Sequence, residues 1–435
     1  MLQRSGRVVI LGGGLTGLSA AYHLRSGYVL LERETRLGGL ARTDVKDGFF
    51  FDKTGHWLHL RDAYVRRLME RLLPRKLVAV ERRARIFSNG VFTRYPFQAN
   101  LYGLPPEVAA ECLLGFVEAR MQGSHARPPK TFEEYCLRHF GVGISKHFMI
   151  PYNTKLYGVH PREITADWCQ RFVPIPKLEE VVKGAVGVPP PEMGYNMSFL
   201  YPRRGGIEVV VQAFASRLRG EVRLESKVTG IDLGNRHVLV GEEKIPYDAV
   251  VSTIPLPELV GLIRTAPHDV KEAARRLCST PLRYLDVALR RPAKTDLHWV
   301  YVPEAEYPFY RVGSYSNAVR SMAPKGCASL YVELSERRPV PRHRLVTQVT
   351  RGLVEMGIIE GPDDILFADI KEIPRAYVIF DRHYDAATRL LREWLEEHDI
   401  YPRGRFGFWT YNSMEDCILA GRDVARILGR PASPR

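Results

Sequence analysis

Cysteine is scarce and scattered. The six thiols, Cys112, Cys136, Cys169, Cys278, Cys327 and Cys417, never fall into a C-x-x-C spacing. This argues against a disulfide framework or a structural zinc and for a reducing, cytoplasmic setting. No apolar run reaches the length needed to cross a bilayer, because prolines and charges interrupt every candidate. There is no G-x-S-x-G, no metal-ligand motif of paired residues and no Cys/His couple presented by a motif, so an activated serine, a metal and a cysteine nucleophile all lack their usual carriers. Internal repeats and low-complexity tracts are absent as well. The chain runs from its start straight into a strand-like segment, which leaves no room for a signal peptide.

What is present begins with charge. The 435 residues carry 63 Lys and Arg against 49 Asp and Glu, a formal net charge of +14. The cations are spread in pairs such as Arg66-Arg67, Arg82-Arg83 and Arg203-Arg204, without a tail and without a recognised nucleic-acid motif. Most of that charge therefore reads as solvated surface, nucleic acid is not expected as a partner, and a few arginines remain for a phosphate-bearing ligand. A hydrophobic content of 45% with 10% aromatics suits a well-packed chain of roughly two to four domains.

The organising stretch is Arg7-Val8-Val9-Ile10-Leu11-Gly12-Gly13-Gly14-Leu15-Thr16-Gly17. A short β-branched run followed by G-x-G-x-x-G and a small-residue helix start is a dinucleotide-binding turn. Gly12 makes the tight bend, Gly14 lets the backbone approach a pyrophosphate, and Gly17 lets helix pack on strand. Leu15 and Thr16 open the helix, whose free N–H groups face the phosphates. A second strand, Tyr28 to Leu31, ends in Glu32, twenty residues after Gly12, where an acid can bond a ribose, with Arg33 beside it. Past the acid comes a second glycine pair, Gly38-Gly39-Leu40, and then Gly55-His56. A lone histidine would ordinarily be structural.

Further along, apolar spacing predicts a helix from Asp62 to Leu73, a hairpin over 83–98 turning at Ser88-Asn89-Gly90, and helices from Pro105 to about Phe172. Gly187 to Pro191 reads as a loop, and Tyr201 to Gly206 as a loop into a helix from Ile207 to Leu218. Asp248 to Pro255 reads as a buried strand. Strand-like runs fill 282–380 around one helix at Arg342 to Met356, and a last helix runs from Met414 to Leu428. The fold expected is α/β, a Rossmann-like domain (1–80, 198–270 and 406–435) interrupted by a helical substrate domain (105–172) and an antiparallel sheet domain (81–104, 173–197 and 271–405).

The glycine blocks resemble those of the clan of amine oxidases, protoporphyrinogen oxidases and UDP-galactopyranose mutases, where they touch FAD, and this resemblance implies a place for Gly55-His56 against the cofactor. Four further blocks, spread over nearly the whole chain, resemble the flavin-dependent UDP-galactopyranose mutases, most of all the eukaryotic-type members. Tyr95-Pro96-Phe97-Gln98 matches the segment that cradles uracil there, which suits the chemistry of stacking rings and an amide edge. Phe148 to Val159 matches the nucleotide-binding helix, with Phe148 and Asn153 in place but Tyr157 where the family has a tryptophan; Arg171 and Asn196 follow. Trp299-Val300-Tyr301 and Pro308-Phe309-Tyr310-Arg311 match the diphosphate frame, in which a guanidinium fork suits phosphate oxygens. Gly404-Arg405-Phe406-Gly407 with Tyr411, Ser413 and Met414 matches the last signature, and Tyr377 falls where another diphosphate tyrosine is expected. Ser413 departs from the bacterial pattern, which has an acid nearby.

The resemblance implies FAD, active when reduced; His56, Arg171 and Arg311 as the catalytic set; a UDP-sugar as substrate; and an external reductant. It also implies ring contraction of UDP-galactopyranose to the furanose for cell-surface polysaccharide, through a covalent adduct on the reduced flavin. An oxidase or dehydrogenase of the same clan, and a flavin-binding protein without catalysis, are the alternatives. The sugar, the electron donor and the possibility of a homo-oligomer stay open.

Overall fold

The computed structural model describes residues 7–122, 127–169, 173–188, 197–335 and 340–429. The opening strand, Val8–Leu11, is buried along its length and forms parallel pairs on both sides, with Tyr28–Leu31 and Ala249–Ser252. A strand enclosed on both faces has to be apolar throughout, and this one is. Glu221–Arg223 and Ile400–Pro402 close the two edges of this five-stranded parallel sheet. The second of these edges lies inside 271–405, the stretch that the sequence reading gives to the antiparallel sheet.

Two helices lie together over the opening strand, Leu15–Leu24 and Met414–Leu428. Their approach is set at Gly421, where an added Cβ would come within 2.5 Å of the Thr16 carbonyl oxygen. The Ser19 hydroxyl crosses the gap and donates to the Ile418 carbonyl at 2.6 Å. The chain thus folds its last helix against its first, and both N-termini open toward the same space.

The helical part pairs Pro106–Met121 with Phe132–Ile144. Here too glycines set the distance: Gly143 sits against the Glu111 carbonyl and Gly141, at φ +74, against that of Gly115. Thr131 caps the second helix by accepting from the Glu134 N–H. After one π-helical turn the chain continues as Ile150–Tyr157.

A seven-stranded sheet forms the third layer, in the order Ile365–Val378, Ser279–Leu289, Ala328–Ser335, Arg311–Ser314, Trp299–Tyr301, Ala84–Ser88, Val91–Arg94. It is antiparallel except where Trp299–Tyr301 meets Ala84–Ser88, a parallel pair between segments distant in sequence. The helix Arg342–Glu355 covers one face with Leu345, Val349 and Leu353, packed into the same cluster as Leu285, Val287 and Val332. The other face looks toward the helical layer.

Several elements differ from the expectations. Ser198–Pro202 is a strand paired with Leu77–Glu81, so the supposed loop begins only after Pro202. Leu178–Ala185 forms a helix just before the expected loop, part of which lies outside the described residues. Tyr384–Glu397 is a helix with an apolar face of Ala387, Leu391 and Leu395, in a stretch to which the sequence reading gave no element.

Candidate active site

A cavity of about 1360 Å³ opens where the three layers meet. That exceeds the roughly 300–1,000 Å³ of an ordinary ligand pocket and leaves room for two ligands side by side.

One end is the glycine turn. Gly12, at φ +98, must be glycine both for its torsion and because a Cβ would strike Thr253 Oγ1. Gly17 must be glycine because a Cβ would lie 2.0 Å from the Gly12 carbonyl oxygen. Gly14 is under neither constraint: its φ of −74 suits any residue, and an added Cβ would meet no protein atom within 4 Å. Such a Cβ would stand in the cavity, so what Gly14 leaves room for is a ligand. Gly38 bridges to Gly14, donating to the Gly13 carbonyl at 2.8 Å, and Gly39, at φ +58, has Gly14 Cα 3.3 Å from where its Cβ would be. Glu32 lines the cavity with its carboxylate fixed by the N–H groups of Gly13 at 2.7 Å and Glu34 at 3.0 Å. Arg33, Leu15, Thr16 and Leu40 line the same end; Gly17 does not, being spent on helix packing.

Mid-cavity stand Gly55 and His56. A Cβ at Gly55 would lie 2.5 Å from the Tyr331 hydroxyl, so the wall is closed there. Burial holds the His56 pKa down to about 4, and the charges of Arg405 and Arg311 push the same way, so the ring is neutral at neutral pH. Met414 and Ser413 line the cavity at the start of the last helix. The Ser413 hydroxyl is occupied with the helix: it donates to Asp416 at 2.8 Å and accepts from the Asp416 N–H.

The far end is aromatic. Phe97, Phe148 and Tyr152 form a continuous stack, with centroids 5.0 and 5.2 Å apart and planes within 13° and 10°. Phe148 and Tyr152 line the cavity, while Phe97 is fully buried beneath them and acts as their support. Gln98 and Asn153 line it with their amide nitrogens tied to the carbonyls of Pro174 and Met149. Their carbonyl oxygens remain for a ligand edge.

Tyrosines and arginines join the two ends. Tyr152 meets Tyr301 edge-on at 5.4 Å, and Tyr301 packs on Tyr95 at 5.1 Å. Tyr301 and Arg311 are direct partners across adjacent strands. Arg311 Nη2 reaches the Tyr377 hydroxyl at 3.4 Å. Arg405 lies over the rings of Tyr411 at 4.7 Å and Tyr377 at 5.6 Å, with its two Nη atoms donating to the carbonyls of Asn412 and Ala376. Trp299 and Gly404 also reach the cavity, and Tyr157 lines it with its ring against Trp168. Arg171 and Asn196 lie outside the described residues.

Sequence reasoning passed over Tyr152, Trp57 and Glu333. Tyr152 stands four residues after Phe148 on a helical stretch, a spacing that already puts both rings on one face. Trp57 follows His56 and stacks on Trp299 at 5.9 Å. Glu333 gives no local signal; only strand register brings it beneath Arg311. Among the described residues no group of His, Cys, Asp and Glu could hold a metal, and no helix is long and apolar enough to cross a membrane.

The sequence profile of the flavin-containing amine oxidoreductases matches residues 15–428. The chain belongs to that family. A solved structure of reduced UDP-galactopyranose mutase superposes with a TM-score of 0.93 at 26% identity, covering 99% of this chain and 94% of that one. Among curated relatives, protoporphyrinogen oxidase 2 of Arabidopsis thaliana is 22% identical, the match spanning 58% of this chain and 57% of that protein. A flavin-containing monoamine oxidase A of Dictyostelium discoideum is 35% identical over 15% of each chain. The cofactor of this flavoenzyme is FAD, and the residues fit it: the space at Gly14, the fixed Glu32 carboxylate and the two helix starts are a dinucleotide cradle.

Proposed function

We propose that the protein interconverts the pyranose and furanose forms of a UDP-sugar, UDP-galactopyranose in the simplest case. One observation carries this reading: a nucleobase-sized aromatic cradle and an arginine–tyrosine cluster share one cavity with the FAD cradle. Neither an amine oxidase nor a porphyrin oxidase needs a nucleotide diphosphate site between a stacking platform and the flavin. When bound and reduced, FAD supplies an electron-rich ring nitrogen that can serve as nucleophile toward an anomeric carbon. The chain's residues do the rest. Phe148 and Tyr152 present flat faces to a base, and Gln98 and Asn153 present oxygens to its edge. Tyr301, Tyr377, Tyr411, Arg311 and Arg405 hold the diphosphate as it leaves the sugar and keep it in place for return. Neutral His56 shapes the pocket without adding a charge. Arg171 is proposed for the same clamp on the strength of the family resemblance alone.

The oxidase reading has its own support in the curated relatives named as oxidases. Thermal melts of the purified protein with UDP, with a porphyrin and with amines separate the two: stabilisation by UDP alone is expected, and stabilisation by an amine or porphyrin without UDP would favour the oxidase. Arg311→Ala is expected to weaken UDP binding roughly tenfold to a hundredfold, the loss of a charge-assisted contact, with FAD content unchanged. Wild-type UDP affinity in that variant would remove the anion site from the argument.

A further inference from the structure

Arg311 is not a free cation. Its Nε donates to Glu333 at 3.0 Å, and its Nη2 lies 2.7 and 2.5 Å from the two oxygens of the same carboxylate. Glu333 has no exposed surface. The two residues are direct partners across hydrogen-bonded strands, and Tyr301 and Tyr284 continue the row on either side. The ion pair is therefore built into the sheet register. Burial works against the Arg311 charge, and the carboxylate outweighs it and keeps the guanidinium protonated. Among the described residues Nη1 has no protein partner, so one N–H edge is left for the cavity. Arg405 differs, since its hydrogen-bond acceptors are uncharged carbonyls.

We propose that Glu333 is a positioning and charge-setting residue of the anion site: it fixes the Arg311 fork so that Nη1 alone points at the diphosphate, and it cancels the pull of that arginine at longer range. The inference rests on the UDP-sugar reading above. A diphosphate that must leave a carbon, wait and return has to be held without being trapped. Short-range bonds from tyrosine hydroxyls and a single guanidinium edge do that, whereas two unpaired cations in a dry pocket would bind the departed group far more tightly than the intact substrate.

The test is calorimetric titration of UDP and of inorganic pyrophosphate into FAD-loaded wild type and Glu333→Gln, at low and at high salt. The variant uncovers the Arg311 charge while keeping an acceptor in place. It is expected to bind both probes more tightly at low salt, by roughly tenfold for UDP, with the gain shrinking as salt rises. In turnover KM and kcat should fall together. A merely structural role would lower the melting temperature without steepening the salt dependence. If Glu333→Gln does not fold, Arg311→Gln is compared with Arg311→Gln/Glu333→Gln: the double variant should bind UDP at least as well as the single one, and weaker binding by the double variant would overturn the proposal. Equal affinity and equal salt dependence in wild type and Glu333→Gln would overturn it and leave the UDP-sugar reading standing. Failure of the wild type to bind either probe would overturn both.

Discussion

The glycines of the opening turn answer to different neighbours, and substitution should tell them apart. Gly14→Val adds a side chain that projects only into the cavity, so the protein should fold, purify colourless and melt like the FAD-free wild type. Retention of stoichiometric FAD would count against the placement of the pyrophosphate. Gly17→Val meets the Gly12 carbonyl oxygen instead and should lose about 3 kcal/mol of stability or more through overpacking. His298 supports a prediction about pH. It is fully buried, its Nδ1 accepts from the Arg83 N–H at 3.1 Å, and burial lowers its pKa to about 4. Between the ordinary value near 6.5 and about 4 the unfolded chain takes up a proton that the native one refuses, so this histidine removes stability as pH falls through that window. Urea melts should show wild type losing about 2 kcal/mol more than His298→Gln between pH 7 and pH 5. Asp52 and Asp286, both raised to about 7 by burial, act in the opposite sense in both proteins and cancel from the comparison. An unchanged gap would mean that the imidazole protonates without cost.

At the scale of elements, the last helix shows what a cap and a crossing are worth. Ser413 and Asp416 form a reciprocal capping box, and Ser413→Ala should cost about 1 kcal/mol while the protein keeps its FAD. Loss of the flavin there would assign the hydroxyl to the cofactor instead. Gly421→Val, at the crossing with the first helix, should destabilise by about 3 kcal/mol, since the obstacle is backbone that cannot turn aside. The elements that were legible in the sequence carry local signals. Asp62 caps the helix Ala63–Leu72 by accepting from the Val65 N–H, and the Ser88-Asn89-Gly90 turn joins the hairpin strands that pair Phe87 with Phe92. The missed helix Tyr384–Glu397 did carry such a signal in the spacing of Ala387, Leu391 and Leu395, whereas two of the missed strands are held by distant partners. Leu77–Glu81 is an edge strand only because Ser198–Pro202 arrives beside it. Ile400–Pro402 holds a single parallel partner, and its three residues are too few to show a period.

At the scale of the whole molecule, the site is a meeting of three layers. The glycine blocks and the Phe148–Tyr157 helix could be read as motifs because each is continuous in sequence. The route between them could not be. Tyr301, Arg311 and Glu333 line up only through strand register, and Phe97, a contact residue by motif, is a buried support in the fold. The neutrality of His56 likewise comes from burial and from two arginines that arrive from other parts of the chain. What this shared cavity does with a nucleotide sugar decides between the mutase and the oxidase. The direct measurement is anaerobic incubation of the FAD-loaded enzyme with UDP-galactopyranose, with and without dithionite, with products followed by chromatography. A furanose product that forms only in the reduced sample, over many turnovers per flavin and with no net consumption of electrons, is the result predicted. Hydrogen peroxide formed in air from an amine or porphyrin substrate, with no isomer from any UDP-sugar under reducing conditions, would contradict it.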